Sequence, residues 1–295
     1  MLIGNYFKNI NLSFRNHKFS GLSFNSNDCK KNYIFFAIKG NNFNGNSFID
    51  HAINKGAKTI VSNIKYEGFK KDVLFIKSNN VRQSLSEIVS KIYRKKPKSL
   101  VAVTGTNGKS SIADFYLQIL RLNKKKVASI GTLGINSNKS KIELKNTTLD
   151  SLQLAKYLSK LKEKKIDNVI LEASSHGLSQ HRLDGLKFQI GIFTNLSHDH
   201  LDYHKSYKNY LNAKLYLFRK LLKNNSNIIT DFDIPEYKSI KKISMKNRIK
   251  INTISLKNGD LSIISHEYHG DKQLLKVKYK NKIYEFQLNL VGKIQ

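Results

Sequence analysis

The chain has 295 residues, of which 40% are hydrophobic and 25% are charged, so it can form two domains with separate cores. This composition excludes a disordered chain and a collagen-like repeat, and the single cysteine, Cys29, excludes an intrachain disulfide. The 52 lysines and arginines outnumber the 21 aspartates and glutamates and give a net charge of +31, which favours anionic ligands.

The distribution of this charge does not indicate a nucleic-acid-binding protein. The lysines lie in short runs throughout the chain, such as Lys124–Lys126 and Lys164–Lys165, and none of the runs alternates with aromatic residues. General enrichment in lysine accounts for the charge, which would also steer small phosphate-rich ligands to the protein. We therefore expect no nucleic-acid partner, and a basic nucleic-acid binder is the alternative.

The beginning of the chain, Met1–Phe14, lacks the sustained apolar segment of a signal peptide. No apolar run approaches the roughly 18 residues that are needed to span a bilayer. One cysteine in the whole chain also fits a reducing compartment. We expect a soluble, cytoplasmic, monomeric protein that does not insert into a membrane.

Residues 1–96 have the pattern of a small α/β domain, in which apolar strand-like segments alternate with amphipathic helical ones. The predicted strands are Tyr33–Ile38, Thr59–Ser62 and Val73–Ile76, and the predicted helices are Phe48–Lys55 and Val81–Tyr93. The polar segment Arg94–Lys98 contains Pro97 and predicts a linker. We therefore expect one domain at residues 1–96 and a second at residues 97–295.

From Ser99 the pattern becomes strand, glycine-rich loop, helix and strand, which is typical of a mostly parallel, doubly wound α/β domain. Leu100–Val103 predicts its first buried strand. The helix after the loop has an apolar face at helical spacing, formed by Ile112, Phe115, Tyr116, Ile119 and Leu120. Later, Leu274–Tyr279 and Ile283–Leu290 alternate apolar with polar residues and predict added antiparallel strands.

The loop between that strand and that helix, Thr104–Ser111, has the composition of a phosphate-binding loop. Its glycines let backbone N–H groups approach phosphate oxygens, and the helix N-terminus favours negative charge. Lys109 would reach the β- and γ-phosphates, and the Ser110 hydroxyl would ligate Mg²⁺. Because Val103 stands where the general motif has its first glycine, a glycine turn with an incidental lysine is the alternative.

Two later strand ends carry candidate metal-binding groups. Val169–Leu171 predicts a buried strand that ends in Glu172, and a carboxylate at the carboxyl end of a parallel strand suits Mg²⁺. A solvated carboxylate is the alternative there. Ile190–Asn195 predicts a strand before Ser197–His204, in which His and Asp nearly alternate. We expect one or two of those side chains to be functional and the others to lie on the surface.

A helix predicted from Tyr207 to Leu222 places Lys214 on its apolar stripe, four residues after Tyr210. A desolvated lysine tends to lose its proton, and a neutral amine can be chemically modified. The alternative is that the lysine stem packs against the core while its ammonium group extends to water.

Together these segments resemble the Mur ligase family of peptidoglycan precursor synthesis, and most closely the members that add the third residue of the peptide. The segments that carry the resemblance are Thr104–Ser111, Asn146–Thr148, Glu172–Arg182 (EASSHGLSQHR), Asn195–His204 (NLSHDHLDYH) and Asn212–Lys214. The phosphate loop is shared with a wider superfamily that includes folylpolyglutamate synthases, whereas the two histidine-containing segments are more specific. The resemblance covers most of residues 20–230.

The resemblance implies a ligase that uses ATP and Mg²⁺ to add a diamino acid, meso-diaminopimelate or L-lysine, to UDP-MurNAc-L-Ala-D-Glu through an acyl phosphate. It implies catalytic roles for Lys109, Lys214 and His200. The implied ATP contacts are Gly105, Thr106, Asn107, Gly108, Lys109, Ser110 and Ser111. The implied Mg²⁺ ligands are Ser110, Glu172, His200 and Lys214, the last as a carbamylated lysine. The implied substrate contacts, of which the first five would lie near the uridine, are Phe24, Ser26, Asn41, Asn42, Phe43, Asn146, Thr147, Thr148, Ser174, Gln180 and Arg182.

Members of the family also carry a third domain that binds the incoming amino acid, and this chain stops after Gly292–Gln295, where that domain would be approached. We therefore expect that the C-terminal domain is absent and that the chain alone forms no tripeptide. The alternatives are a non-catalytic ATP- or UDP-sugar-binding fragment and a ligase of the folylpolyglutamate synthase type.

Overall fold

The computed structural model describes residues 1–7, 10–40, 43–138, 140–144, 147–270 and 272–289. The chain divides into two units. The first comprises Met1–Lys95, Asp150–Ser159 and Gln180–Leu186, and the second comprises Lys96–Leu149, Lys160–Ser179 and the chain from Lys187 onward. A single cut after residue 96 would assign the two short inserted segments to the second domain, so the domain bounds 1–96 and 97–295 stay a prediction.

The first unit is built on a five-stranded sheet among its described residues, in the order β1-β2-β3-β5-β4. Its strands are parallel except β4, which pairs antiparallel with β5. The elements are β1 Gly21–Ser23, β2 Tyr33–Phe36, α1 Ile49–Asn54, β3 Ala57–Ser62, β4 Gly68–Lys70, β5 Val73–Lys77 and α2 Val81–Ile92. The three predicted strands and two predicted helices of this region are confirmed, with ends shifted by a few residues.

The second unit contains the remaining strands and most of the remaining helices. In chain order these are β6 Ser99–Thr104, α3 Lys109–Leu122, β7 Val127–Gly131, β8 Gly134–Ser137, β9 Ser140–Ile142, α4 Ser151–Glu163, β10 Asn168–Glu172, α5 Ser175–Ser179, β11 Phe188–Phe193, α6 Leu201–His204, α7 Tyr207–Tyr216, β12 Leu222–Asp231, α8 Tyr237–Asn247, β13 Lys250–Ser255, β14 Leu261–His269, β15 Lys272–Tyr279 and β16 Lys282–Leu288. Helix α4 begins in the first unit and ends in the second. A π-helical turn, Leu217–Leu221, continues α7, so the helix predicted from Tyr207 to Leu222 is confirmed.

Within the described residues, these strands form one eleven-stranded sheet in the order β16-β15-β14-β13-β12-β11-β6-β10-β7-β8-β9. The strands from β14 through β7 are parallel, and the strands beyond them at either end are antiparallel. This arrangement confirms the predicted fold class, a small α/β unit followed by a mostly parallel α/β unit with added antiparallel strands. Parallel topology places the carboxyl ends of β6, β7, β10 and β11 at one edge of the sheet.

The face of α3 that packs on the sheet differs from the predicted one. Ala113 and Leu117 are its buried residues, whereas Phe115 is 45% exposed and Ile119 is 57% exposed. The small side chain of Ala113 lets the helix approach β6 and β10, where Ala113 packs with Val101 and other apolar residues of the sheet. The apolar stripe of α3 is therefore wider than its contact with the sheet, because Phe115 and Ile119 of that stripe are exposed.

None of the helices in the described part of the chain combines the length and the apolar character that crossing a bilayer requires.

Candidate functional site

A polar cavity of about 280 Å³ lies at the carboxyl edge of the large sheet, where β6, β7, β10 and the loop after β11 end. It brings together Lys109, Glu172, His200 and Lys214, which the sequence analysis derived from four separate segments. The full lining is Thr106, Asn107, Gly108, Lys109, Ser110, Ser111, Thr132, Thr147, Glu172, Ser174, Ser175, His200, Tyr210 and Lys214. This edge is where α/β sheets of this kind bind ligands.

The glycine-rich loop between β6 and α3 has the backbone of an anion-binding turn. Gly105 and Gly108 have φ values of 153° and 80°, which side chains other than glycine rarely adopt, and Gly108 caps the N-terminus of α3. A Cβ atom on Gly105 would also overlap the side chain of Thr194. The first turn of α3 contains no acidic residue, so its N–H groups and dipole are available to an anion.

The segment after β11 holds this loop in place through hydrogen bonds, three of which involve Thr194 and Asn195. Thr194 donates from Oγ1 to the carbonyl of Asn107 at 2.7 Å. The N–H groups of Thr106 and Asn107 donate to the backbone and side-chain oxygens of Asn195, at 2.9 and 3.0 Å. These contacts fix the loop without any ligand, and a preorganised loop loses less conformational freedom on binding.

Two lysines meet at one carbonyl oxygen of the loop. Lys109 donates from Nζ to Gly105 O at 2.9 Å and to Thr106 O at 2.7 Å. Lys214 donates from Nζ to the same Gly105 O at 2.6 Å. Burial lowers the pKa of Lys109, and the negative charges of Glu172 and Asp199 oppose that shift. The short separation between the two ammonium groups is electrostatically costly, and an anion placed between them would relieve it.

Lys214 is 1% exposed, so its ammonium group does not reach water and the alternative of an extended surface lysine is wrong. It lies 4.4 Å from the centre of the Tyr210 ring, which contributes a cation–π contact. Burial, and then the charge of Lys109, lower the pKa of Lys214 to about 7, against the attraction of Asp199. A large fraction of its amine is therefore neutral and nucleophilic near neutral pH.

Glu172, at the end of β10, accepts hydrogen bonds from both neighbouring loops. Ser110 donates from Oγ to Glu172 Oε2 at 3.0 Å. Thr132 donates from its N–H to Oε1 at 2.9 Å and from Oγ1 to Oε2 at 3.0 Å. The carboxylate is 2% exposed and lies against Gly131, where a Cβ atom would overlap it. These bonds hold a buried negative charge beside the hydroxyl of Ser110.

The predicted substrate residues Thr147, Thr148 and Ser174 lie around the same carboxylate. Thr147 Oγ1 and Thr132 Oγ1 are 3.1 Å apart. Thr148 is buried and donates from Oγ1 to the Glu172 carbonyl at 2.9 Å, and it accepts the N–H of Ser174 at 3.1 Å. Thr147 and Ser174 line the cavity, whereas Thr148 supports its wall.

A cluster of rings surrounds His200. His200 adopts a left-handed backbone conformation (φ 53°) that aims its ring toward His176, at 4.9 Å between ring centres. The backbone N–H of His200 donates to Asp199 Oδ1 at 2.8 Å, and the ring Nε2 of His200 lies 3.4 Å from Asp199 Oδ2. His204 is 6% exposed and stacks near Tyr210 at 5.1 Å. Burial, then the charge of His176 and that of Lys214, lower the pKa of His204 to about 4.

The oxygen ligands that these side chains offer match part of the coordination that a hard cation such as Mg²⁺ requires. The described residues contain no group of three His, Cys, Asp or Glu side chains placed to hold a metal ion. Ser110 and Glu172 offer a hydroxyl and a carboxylate in direct contact, which are ligands that Mg²⁺ prefers. A carbamate on Lys214 would add a second carboxylate at the same cavity. The residues present therefore fit Mg²⁺ when phosphate oxygens complete its coordination.

The remaining predicted substrate residues belong to the first unit or lie outside the described residues. Phe24 and Phe43 are exposed and follow β1 and β2, and Ser26 is buried in the turn after Phe24. Gln180 and Arg182 contact each other, with Arg182 Nη2 donating to Gln180 Oε1 at 2.8 Å. The predicted contacts at Asn41, Asn42 and Asn146 lie outside the described residues.

Sequence reasoning missed several residues that shape the cavity. Thr132 follows the carboxyl end of β7 and could have been found from that position alone. Asp199 acts on Lys214 through a tertiary contact that no local pattern reveals. Tyr210 lies one helical turn before Lys214, so its contact could have been found from the spacing. Thr194 and Asn195 brace the glycine-rich loop from a different strand end.

Comparison with known proteins places this geometry in a family. Residues 103–295 match the model of the Mur ligase middle domain, and residues 18–100 match the Mur ligase family, catalytic domain. The UDP-N-acetylmuramoyl-L-alanyl-D-glutamate--2,6-diaminopimelate ligase of Rickettsia montanensis is 40% identical over 97% of this chain and 60% of its own length. The ligase of the same name from Zymomonas mobilis is 35% identical over 93% of this chain and 56% of its own length.

A solved structure of a UDP-N-acetylmuramoyl-L-alanyl-D-glutamate--2,6-diaminopimelate ligase superposes with a TM-score of 0.84 at 28% identity, over 96% of this chain and 58% of that one. MurF ligase from Thermotoga maritima, in complex with ADP, has a TM-score of 0.57 at 18% identity, over 90% of this chain and 57% of that one, and shares the fold alone. The present chain thus spans about 60% of the length of the Rickettsia relatives.

Proposed function

Because the chain belongs to the Mur ligase family, we propose that it binds ATP, Mg²⁺ and UDP-MurNAc-L-Ala-D-Glu for the ATP-dependent addition of a diamino acid. The names of the relatives support 2,6-diaminopimelate as that amino acid over L-lysine. The chain spans 60% of a Rickettsia relative, so the complete reaction is proposed for the ligase to which these two units contribute.

One observation carries this proposal: a glycine-rich anion loop, two lysines, a buried carboxylate and an imidazole converge on one cavity at a sheet edge. A polyphosphate needs positive charge and N–H donors, and a bound divalent cation needs oxygen ligands. Lys109 with the first turn of α3 supplies the former, and Ser110 with Glu172 supplies the latter. His200 lines the same cavity as a further candidate ligand.

The chemistry requires a poor electrophile to be activated. The terminal carboxylate of the substrate attacks the γ-phosphorus of ATP, which forms an acyl phosphate and releases ADP. The amine of the diamino acid then attacks the activated carbonyl and expels phosphate. The loop N–H groups and Lys109 orient the triphosphate and bind the charge that develops during transfer. Ser110 and Glu172 would hold Mg²⁺, which would supply screening of the repulsion between ATP and the carboxylate.

We further propose that Lys214 acts as a carbamate. Its ammonium group first loses one proton to solvent. The neutral amine then forms an N–C bond with CO₂ and loses a second proton, so that a carboxylate ligand replaces a buried cation. Burial at 1% exposure, a pKa of about 7 and the shared contact at Gly105 O support this step. The reaction also removes the repulsion between Lys214 and Lys109.

Calorimetric titration of the 295-residue chain tests the binding function directly. We expect saturable binding of ATP that requires Mg²⁺, and separate binding of UDP-MurNAc-L-Ala-D-Glu. Failure to bind ATP would contradict the proposed nucleotide site, and failure to bind the UDP-sugar peptide would contradict the proposed substrate.

The carbamate is tested in a full-length version of the ligase by substitution of Lys214. Lys214→Ala should abolish formation of the tripeptide, detected by mass spectrometry, because it removes the metal ligand. Lys214→Glu should restore part of it, since a carboxylate returns without CO₂. Wild-type turnover in the alanine variant would contradict the carbamate.

A further inference from the structure

Two arginines of the first unit converge on a single side-chain oxygen. Arg82 donates from Nη1 to Gln180 Oε1 at 3.4 Å. Arg182 donates to the same oxygen from Nε at 3.2 Å and from Nη2 at 2.8 Å. Arg82 and Gln180, 98 positions apart in the chain, thus meet so that two guanidinium groups surround one neutral amide.

Arg82 also lies where a ligand would meet the sheet of the first unit. It is the second residue of α2, which follows the carboxyl end of β5. From Nη2 it donates to the carbonyl of Lys39 at 3.4 Å, in the segment after the carboxyl end of β2. The predicted substrate residues Phe24 and Ser26 follow the end of β1, at the same edge of the sheet.

The N-terminus of α2 adds to the positive potential at this place. The helix has twelve residues and no acidic residue in its first turn, so its dipole is not neutralised there. The side chain of Asn80 caps the N–H of Gln83 at 3.0 Å and leaves the charge of the helix end unchanged. Two guanidinium groups and a helix N-terminus at one sheet edge repel each other and attract an anion.

Guanidinium groups suit particular anions. Their planar fork of N–H donors matches the two oxygens of a carboxylate or a phosphate, which a lysine ammonium group does not. Gln180 is a neutral acceptor that contacts and orients both forks.

We infer that Arg82 is a second anion-binding residue of the UDP-sugar peptide site, paired with Arg182 through Gln180. The inference rests on the proposed function, because that function supplies a substrate with both a diphosphate and free carboxylates. No sequence motif contains Arg82, and its contacts with Gln180 and Lys39 indicate its role.

The test is calorimetric titration of the 295-residue chain with UDP-MurNAc-L-Ala-D-Glu, UDP alone and ATP. Arg82→Gln should weaken binding of the UDP-sugar peptide by about 10- to 100-fold, as expected when a charge-assisted pair of hydrogen bonds is lost. Arg82→Lys, which retains the charge but not the fork, should weaken it by less. Binding of ATP should stay unchanged in both variants.

Arg94 provides the matched control. It is an exposed arginine at the end of the same helix, where its Nε donates to the carbonyl of Lys91 at 3.2 Å. Arg94→Gln removes the same charge from the same unit and should leave all three affinities unchanged. An equal loss in this control and in Arg82→Gln would assign the effect to net charge and overturn the inference.

The ligand series identifies the anion. A loss of equal size with UDP and with the full substrate assigns Arg82 to the diphosphate, and a loss confined to the full substrate assigns it to a carboxylate. Both results support the inference. Wild-type affinity in Arg82→Gln and Arg82→Lys overturns it, and so does an equal loss in both variants that accompanies an equal fall in melting temperature. Absence of substrate binding in the wild-type chain overturns the proposed function instead.

Discussion

The carboxyl edge of the large sheet and that of the five-stranded sheet both carry charged groups. The groups at the large sheet combine positive and negative charge, whereas the two arginines at the smaller sheet are both positive. At the large sheet, the ammonium groups of Lys109 and Lys214 lie with the buried carboxylate of Glu172. At the smaller sheet, the guanidinium groups of Arg82 and Arg182 meet at an amide, beside a helix N-terminus without acidic residues.

This difference separates two kinds of ligand. A nucleotide that arrives with a divalent cation needs both signs of charge, whereas a metal-free anion needs only the positive one. The comparison predicts that substitutions at the large sheet change the Mg²⁺ dependence of binding, and that substitutions at the smaller sheet do not.

The largest effect is expected for Lys109→Ala, which removes the ammonium group of the first residue of α3. Affinity for ATP should fall by about 100-fold or more, because charge-assisted hydrogen bonds to phosphate are lost. Calorimetric titration measures the affinity for ATP. The affinity for UDP-MurNAc-L-Ala-D-Glu should stay unchanged. Lys187→Ala, at an exposed lysine, is the control. Unchanged ATP affinity in Lys109→Ala would contradict the assignment of the loop.

A somewhat smaller effect is expected for Glu172→Gln, which keeps the shape of the side chain and removes its charge. The Mg²⁺ concentration needed for half-maximal ATP binding should rise by about 10- to 100-fold. Gly131→Ala should have the same effect, since its Cβ would displace the Glu172 carboxylate. A titration with MgCl₂ at fixed ATP measures both variants, and identical curves for wild type and Glu172→Gln would remove the carboxylate from the metal site.

About a tenfold effect of pH is expected for reaction of Lys214 with CO₂. With a pKa of about 7, its neutral fraction rises about tenfold from pH 6 to pH 8, while an ordinary lysine stays protonated over this range. At a constant concentration of dissolved ¹³CO₂, the initial rate at which the carbamate signal grows in ¹³C NMR should rise accordingly, and the signal should be absent in Lys214→Ala. A signal that persists in Lys214→Ala would come from another amine.

A further prediction concerns stability and not ligand binding. The pKa of His204 is lowered to about 4, so below pH 6.5 the unfolded chain binds a proton that the folded chain does not. This histidine therefore makes the free energy of unfolding fall as the pH drops from 6.5 to 4, with no contribution above 6.5. Urea denaturation should show a shallower fall in His204→Asn, whereas His269→Asn, at an exposed histidine, should match wild type.

The parts of the molecule that local pattern predicts are those in which one segment carries its own signal. The glycine-rich loop, the strand before Glu172 and the helix of Lys214 each show a composition or a spacing that physical rules interpret directly. Parallel topology then brings their ends to one edge, which made the convergence of Lys109, Glu172 and Lys214 predictable.

Contacts between distant segments were not predictable in this way. Thr132 reaches Glu172 only because β7 and β10 are neighbours in the sheet. Arg82 meets Gln180 because Gln180–Leu186 packs with the first unit, which no composition change marks. The exposure of Ile119 shows a similar limit, because helical spacing defines an apolar stripe without defining how much of it a neighbour covers.

The hydrogen bonds from Lys109 to Gly105 and Thr106 have a consequence for selectivity. Those two carbonyl oxygens act as internal competitors, so an incoming phosphate gains only the difference between its own attraction for the lysine and theirs. A weakly charged anion such as chloride or acetate offers little surplus over two neutral oxygens, whereas a triphosphate offers a large one. The loop thus distinguishes anions by their charge, independently of their shape. Cellular monoanions should therefore compete poorly with a triphosphate for the nucleotide position.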